Sequence, residues 1–84
     1  MKYKLLVIDD DHKITTFLRR SLMYEGYDVI IANDGLRGLE QARDHHPDLV
    51  ILDIMMPGMN GLEVCRELRR ISDAPILMLT AKDE

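Results

Sequence analysis

Four short apolar segments constrain the fold of this chain more than any other feature of its sequence. They are continuous runs of aliphatic residues at positions 5–8, 29–32, 49–52 and 76–79. Continuous Val, Ile and Leu runs are typical of strands that are buried on both faces, as in a parallel sheet, whereas a strand with one face in water alternates between apolar and polar residues. The runs therefore predict four strands of a parallel sheet.

The segments between the runs show the period of amphipathic helices. Asp11, Asp34 and Asn60 precede them as candidate N-caps, and Glu63 would complete a capping box with Asn60. The expected apolar faces of the three helices are, in order, Ile14/Phe17/Leu18/Leu22, Leu36/Leu39/Ala42 and Leu62/Cys65/Leu68, with Thr15, Arg19 and Arg20 on the polar side of the first helix. Strands that alternate with helices predict an α/β domain, in which right-handed crossovers place helices on both faces of the sheet.

Composition narrows the function classes. The 84 residues carry a net charge of -4, which argues against a nucleic-acid surface in this segment. The single cysteine excludes an internal disulfide, and we expect it to be a buried, inert thiol on the third helix. No apolar run approaches the length of a membrane span and no secretory signal is evident, so we expect a cytoplasmic protein without a membrane partner.

Acidic residues follow two of the predicted strands. Asp9, Asp10 and Asp11 come directly after the first run, and Asp53 follows the third. Ligands of open α/β sheets bind outside the carboxyl ends of the strands, so neighbouring first and third strands would bring these acids together. Two carboxylates about 4 Å apart repel by roughly 4 kcal/mol at an effective dielectric of about 20, so the cluster requires a cation or a raised pKa. An all-oxygen donor set suits Mg²⁺.

Other interpretations of these residues remain open at this point. Strand-end aspartates also form turns and cap helices, which is the main alternative for Asp11. A cation beside a carboxylate could also let Asp53 attack the phosphorus of an incoming phosphoryl group. Thr80, which follows the fourth run, could then bond a phosphoryl oxygen, or it could simply be a β-branched strand residue. His12 follows the acids, and we expect it to face solvent at the helix start instead of binding a metal.

Three blocks of the sequence resemble the receiver domains of response regulators. They are Leu5–Asp11, Leu49–Gly61 (LVILDIMMPGMNG) and Pro75–Ala81 (PILMLTA). The first block contains the acidic pair Asp9 and Asp10. The resemblance covers the whole chain and implies a flavodoxin-like (CheY-like) doubly wound parallel sheet of order 2-1-3-4. It also implies a regulatory phosphoacceptor domain that catalyses only its own phosphotransfer and dephosphorylation.

The same resemblance assigns roles to particular residues. Asp53 would accept the phosphoryl group. Mg²⁺, or Mn²⁺, would be bound by Asp10, Asp53 and the backbone carbonyl of Met55, with Asp9 acting through water. Thr80 would be the switch hydroxyl, beside the backbone of Ala81. Pro57, Gly58 and Gly61 would shape the loop after the acceptor.

Partners also follow from the resemblance. A sensor histidine kinase would donate the phosphoryl group from a phosphohistidine. The sequence around Asp53 and Thr80 is similar to that of the receiver-domain subgroup that carries a winged-helix domain. Transcription would then be the output, and DNA would be bound only through that further domain. A phosphorylation-independent interaction module, or pseudo-receiver, is the alternative.

Receiver domains have five strands and five helices, and this sequence ends after the fourth predicted strand. We therefore expect an incomplete receiver domain over residues 1–84, without the fourth helix, the fifth strand with its lysine, or the fifth helix. Lys82 lies in the loop after Thr80 and does not take the role of that lysine. An apolar fourth strand at a free edge and an exposed Phe17/Leu18 stripe would favour a homodimer.

Two alternative functions, one a binding protein and one an enzyme, are disfavoured by the loop sequences. A flavin mononucleotide binder needs a hydroxyl- and glycine-rich loop after the first strand, and this chain has Asp-Asp-Asp-His-Lys there. Aspartate-dependent phosphatases place a second aspartate two residues after the nucleophile, and Met55 occupies that position.

Overall fold

A computed structural model describes residues 2–79 of the chain. The elements alternate as expected and are β1 (Lys4–Ile8), α1 (His12–Tyr24), β2 (Asp28–Ala32), α2 (Gly35–His45), β3 (Leu49–Asp53), α3 (Gly61–Ile71) and β4 (Ile76–Leu79). The strands form one parallel sheet in the order β2-β1-β3-β4. The predicted fold class and strand order are confirmed.

The central strands form the core. Leu6, Val7, Ile8 and Leu52 on β1 and β3 are fully buried, as expected for continuous apolar runs covered on both faces. The predicted helix starts are also confirmed, because Asp11, Asp34 and Asn60 each accept backbone N–H groups of the following helix. Asn60 and Glu63 form the expected capping box.

The predicted buried faces of α2 and α3 are partly wrong. Leu36 and Leu62 are exposed, and Cys65 is only half-buried. Ala42 and Leu68 are buried as expected, but the first buried residue of each helix is a glycine. The buried residues are Gly35, Gly38 and Ala42 on α2 and Gly61, Val64 and Leu68 on α3. At Gly38 a Cβ would lie 2.5 Å from Cδ1 of Ile8, so the α2 backbone packs directly against β1. A search for large apolar side chains misses such a contact.

The exposed surfaces of α1 and β4 follow the prediction more closely. Phe17 is 66% exposed and Leu77 on the edge strand is 53% exposed. Thr15, expected on the polar side of α1, is instead buried at 2% exposure, because it faces the end of β2, where the side chain of Asn33 donates to its hydroxyl. Within residues 2–79 no helix is both long and apolar enough to cross a bilayer.

Candidate metal centre

The ends of β1 and β3 bring three carboxylates together. The two strands are neighbours, with Ile8 paired to Leu52 in register, so Asp9 and Asp53 leave the same edge of the sheet. One carboxylate oxygen from each of Asp9, Asp10 and Asp53 lies within 4.8 Å of the other two. The convergence predicted from the sequence is confirmed.

The three acids differ in burial. Asp9 is 3% exposed, Asp53 is half-buried and Asp10 is exposed. They open into a cleft of about 490 Å³ that is also lined by Asp11, Ile14, Met55 and Leu79. A hard divalent cation fits this arrangement, because its ligands are oxygens, its charge offsets the repulsion of the carboxylates and the cleft leaves room for coordinated water.

Asp9 holds its carboxylate inside the fold. Burial raises the pKa of Asp9, and the nearby negative charges of Asp53 and Asp10 raise it further. The backbone N–H of Asp11 donates to Oδ1 of Asp9 at 2.9 Å, which opposes the rise in pKa by stabilising the charged form. Without a cation, ionising Asp9 is therefore less favourable in the folded protein than in the unfolded chain.

This shift predicts how stability depends on pH in the absence of metal. Because the folded-state pKa of Asp9 is raised, its contribution to stability is fully present below the unfolded value of about 4 and is lost as the pH rises through the folded value. Relative to Asp9→Asn, the wild-type protein should lose stability as the pH rises from 3.5 towards 7. Urea unfolding in EDTA measures this difference.

Asp73→Asn is the matched control for the pH experiment. Asp73 is exposed and precedes β4, so it lies at the opposite edge of the sheet from the cleft. The loss of stability between pH 3.5 and 7 should persist in Asp73→Asn, which retains Asp9 and the whole acidic cluster. A wild-type protein that gains stability relative to Asp9→Asn as the pH rises would contradict the raised pKa of Asp9.

The loop after β3 orients Asp53. The backbone N–H of Met55 donates to Oδ1 of Asp53 at 3.1 Å, and Met55 lines the cleft. The backbone of Ile54 is fixed on both sides, since its N–H donates to the carbonyl of Leu79 and its carbonyl accepts the N–H of Gly61. The carboxylate of Asp53 therefore sits on a backbone that is tied to both β4 and α3.

Two glycines are required by the shape of this loop. Gly58 has a φ of +74°, in the left-handed region that favours glycine. A Cβ on Gly61 would clash with Cα of Ile54 and would lie 2.6 Å from the carbonyl oxygen of Asp53. Pro57 lies beside Gly58 and is exposed, lining a separate cleft with the start of α2. The structure thus gives Gly58 and Gly61 a physical reason to be glycine.

The remaining predicted site residues lie at the margin of the cleft or beyond it. Asp11 lines the cleft and also caps α1, accepting the N–H groups of Lys13 and Ile14. His12 is exposed at the helix start, as expected. Thr80, Ala81 and Lys82 fall outside the described residues.

Sequence reasoning missed two residues beside the acids. Asn33 directly follows the second apolar run, where the sequence by itself indicates only a turn and a helix cap, and Thr15 falls on the predicted polar side of α1. The Asn33 side chain donates to the carbonyl of Asp9 at 2.9 Å and to the Thr15 hydroxyl at 3.3 Å. An amide directly after a buried strand was the available signal, but its partners lie on other elements and could not be identified from local sequence.

Comparison with known proteins places these features in one family. A model of the response regulator receiver domain matches residues 5–84. The response regulator MprA of Mycobacterium sp. (strain KMS) is 50% identical over 84 residues, which are 99% of this chain and 36% of that protein. The alkaline phosphatase synthesis transcriptional regulatory protein PhoP of Bacillus subtilis (strain 168) is 51% identical over 85 residues, which are 100% of this chain and 35% of that protein.

Solved structures agree with the sequence relatives. The chemotaxis protein CheY4 of Vibrio cholerae superposes with a TM-score of 0.93 at 33% identity, covering 100% of this chain and 72% of that one. The BeF3-activated receiver domain of Klebsiella pneumoniae RstA gives 0.88 at 37% identity, covering 96% and 69%. The chain thus spans 36% of the length of the MprA relative but most of the length of these receiver structures.

Proposed function

Since this chain belongs to the response-regulator receiver-domain family, we propose that it accepts a phosphoryl group on Asp53 with a divalent cation in the acidic cleft. The observation that carries the proposal is the convergence of Asp9, Asp10 and Asp53 at the ends of two adjacent strands. Mg²⁺, or Mn²⁺, would be held by Asp10, Asp53 and the backbone carbonyl of Met55, with Asp9 acting through water.

The reaction is a transfer between a phosphohistidine and a carboxylate. A carboxylate oxygen of Asp53 attacks phosphorus, an acyl-phosphate bond forms, the P–N bond breaks and the imidazole leaves with the bonding electron pair and takes up a proton. When bound, the cation supplies charge neutralisation between the acids and the incoming phosphoryl oxygens. The Met55 N–H donates to Oδ1 of Asp53 and thereby orients the carboxylate.

Other parts of the chain would complete the site. Thr80 is the proposed switch hydroxyl, and the backbone of Ala81 would lie beside the phosphoryl group. Pro57, Gly58 and Gly61 shape the loop that carries Asp53, and the positive φ of Gly58 and the crowded position of Gly61 support that role. The domain would promote only its own phosphorylation and dephosphorylation, without turnover of a separate substrate.

Partners follow from the relatives. We propose that residues 1–84 are the receiver portion of a cytoplasmic response regulator, phosphorylated by a sensor histidine kinase. Transcription is the proposed output, since PhoP is a transcriptional regulatory protein, and DNA would be bound by a winged-helix output domain. A homodimer is a further proposal; within the described residues, Leu77 and Met78 on β4 expose apolar surface that would contribute to it.

Labelling with acetyl phosphate tests the function directly. The wild-type protein should acquire one acid-stable, base-labile phosphoryl group in Mg²⁺ and none in EDTA. Asp53→Asn should lose the label completely, because an amide is not a nucleophile at this position. Asp73→Asn, at the opposite edge of the sheet, should be labelled like the wild type.

Two results would contradict the proposal in different ways. Equal labelling of Asp53→Asn and wild type would mean that another residue accepts the group. An absence of labelling in all of these proteins, with the fold intact by circular dichroism, would favour a phosphorylation-independent interaction module.

A further inference from the structure

We propose that Asn33 and Thr15 are positioning residues that set the affinity of the acidic cleft for its cation. They do so by fixing the peptide that links Asp9 to Asp10. The inference rests on the proposed function, since it concerns the same cleft. Neither residue lines the cleft, so any effect on metal binding must pass through the acids.

The donor and acceptor capacity of the Asp9 carbonyl, the Asn33 amide and the Thr15 hydroxyl determines the direction of each hydrogen bond between them. The carbonyl of Asp9 can only accept, so the Asn33 Nδ2 group, 2.9 Å away, donates to it. The same Nδ2 group lies 3.3 Å from the Thr15 hydroxyl, which itself donates to the carbonyl of His12 at 3.1 Å. A lone pair of Thr15 therefore accepts the second N–H of Asn33.

Asn33 extends the β1–β2 ladder beyond the end of β2. The N–H of Asp9 donates to the carbonyl of Ala32 at 3.1 Å, which is the last backbone bond of the ladder before the chain turns into α2. The next residue, Asn33, supplies a side-chain donor where the departing backbone no longer can. Both backbone polar groups of Asp9 are thus bound by consecutive residues at the end of β2.

The carbonyl of Asp9 belongs to the peptide group that precedes Asp10. Holding it fixes the plane of that peptide, while the Asp11 N–H holds the Asp9 side chain at Oδ1. The Asp9 carboxylate and the backbone that carries Asp10 are therefore held in place, and only the exposed side chain of Asp10 remains to be ordered. A cation then binds at a lower cost of ordering its ligands.

Thr15 keeps the Asn33 amide in place. The hydroxyl is buried, at 2% residue exposure, and it connects the first turn of α1 to the end of β2 through one side chain. Valine has nearly the same shape but offers no acceptor, so Thr15→Val leaves one N–H of Asn33 without this partner. Thr15→Ser retains the hydroxyl and is the conservative rescue variant.

Calorimetric titration with Mg²⁺ tests the inference on the unphosphorylated protein. Asn33→Ala should weaken Mg²⁺ binding by about 10-fold, the lower end of the effect seen when groups that orient metal ligands are removed. Thr15→Val should weaken it by a smaller factor, Thr15→Ser should stay within about 2-fold of wild type, and the double variant Asn33→Ala/Thr15→Val should match Asn33→Ala alone.

Ser72→Ala is the matched control for lost stability. Ser72 accepts the N–H of Ala74 at 3.0 Å, far from the cleft at the end of α3, so its loss should lower the melting temperature without changing Mg²⁺ affinity. Circular dichroism checks that each variant is folded. If Asn33→Ala does not fold, the comparison of Thr15→Val with Thr15→Ser decides the question.

The outcomes separate this inference from the proposed function. Wild-type affinity in both Asn33→Ala and Thr15→Val, or equal weakening in Thr15→Val and Thr15→Ser, would overturn the positioning role while leaving the metal site intact. A wild-type protein that binds no Mg²⁺ would overturn the proposed metal site, and the positioning role with it.

Discussion

Replacing Asp10 by Asn should abolish the thermal stabilisation that we expect from Mg²⁺ and should raise the melting temperature of the protein in EDTA. Asp10 belongs to a cluster in which carboxylate oxygens of three acids lie within 4.8 Å, so a bound cation stabilises the fold and its absence leaves repulsion. At 100 times its dissociation constant, a ligand that binds only the folded state adds about 2.7 kcal/mol. In a domain of this size that corresponds to a rise of roughly 10–20 °C.

Scanning calorimetry with and without Mg²⁺ measures both effects. The wild-type melting temperature should rise strongly with Mg²⁺, and that of Asp10→Asn should hardly change. Asp73→Asn, whose carboxylate is exposed at the opposite edge of the sheet, should respond like the wild type. A full Mg²⁺ response in Asp10→Asn would remove Asp10 from the metal site.

Gly61→Ala should destabilise the fold by about 3 kcal/mol or more, at the upper end of the cost of overpacking. The added methyl group would meet backbone atoms of Asp53 and Ile54, and a backbone cannot move aside as a flexible side chain can. Relief requires the start of α3 to separate from β3, which breaks the bond from the Gly61 N–H to the carbonyl of Ile54 at 2.9 Å. Asp53 would move with that loop.

Leu62→Ala provides the neighbouring control in the same helical turn. Leu62 is exposed and alanine favours helix, so this change should alter the free energy of unfolding by less than about 1 kcal/mol. Urea unfolding of both variants gives the comparison. A Gly61→Ala protein that unfolds within about 1 kcal/mol of wild type would show that the approach of α3 to β3 is not as close as described.

The strands were predictable because their signal is local. A continuous aliphatic run such as Leu49–Leu52 suits a strand with both faces covered, and the structure adds only Asp53 to its end. The N-caps were equally accessible, since Asn60 and Glu63 show the capping box at their spacing in the sequence. The convergence of the acids then followed from the rule that parallel strands end at one edge.

The helix faces were less predictable because the contacts depend on how closely each helix approaches the sheet. Gly38 packs its backbone against Ile8, and that closeness leaves Leu36 outside the core. Thr15 has a polar side chain that periodicity assigns to solvent, but a hydrogen bond from Asn33 satisfies it in the interior. Such pairings join residues 18 positions apart, and only the assembled fold reveals them.

A crystal structure of the protein with Mg²⁺ tests the metal site most directly. We expect one ion in the cleft, with carboxylate oxygens of Asp10 and Asp53 at about 2.1 Å and the Met55 carbonyl completing the protein ligands. An ion bound away from the cleft, or side chains of Asp10 and Asp53 that point apart when Mg²⁺ is present, would contradict it.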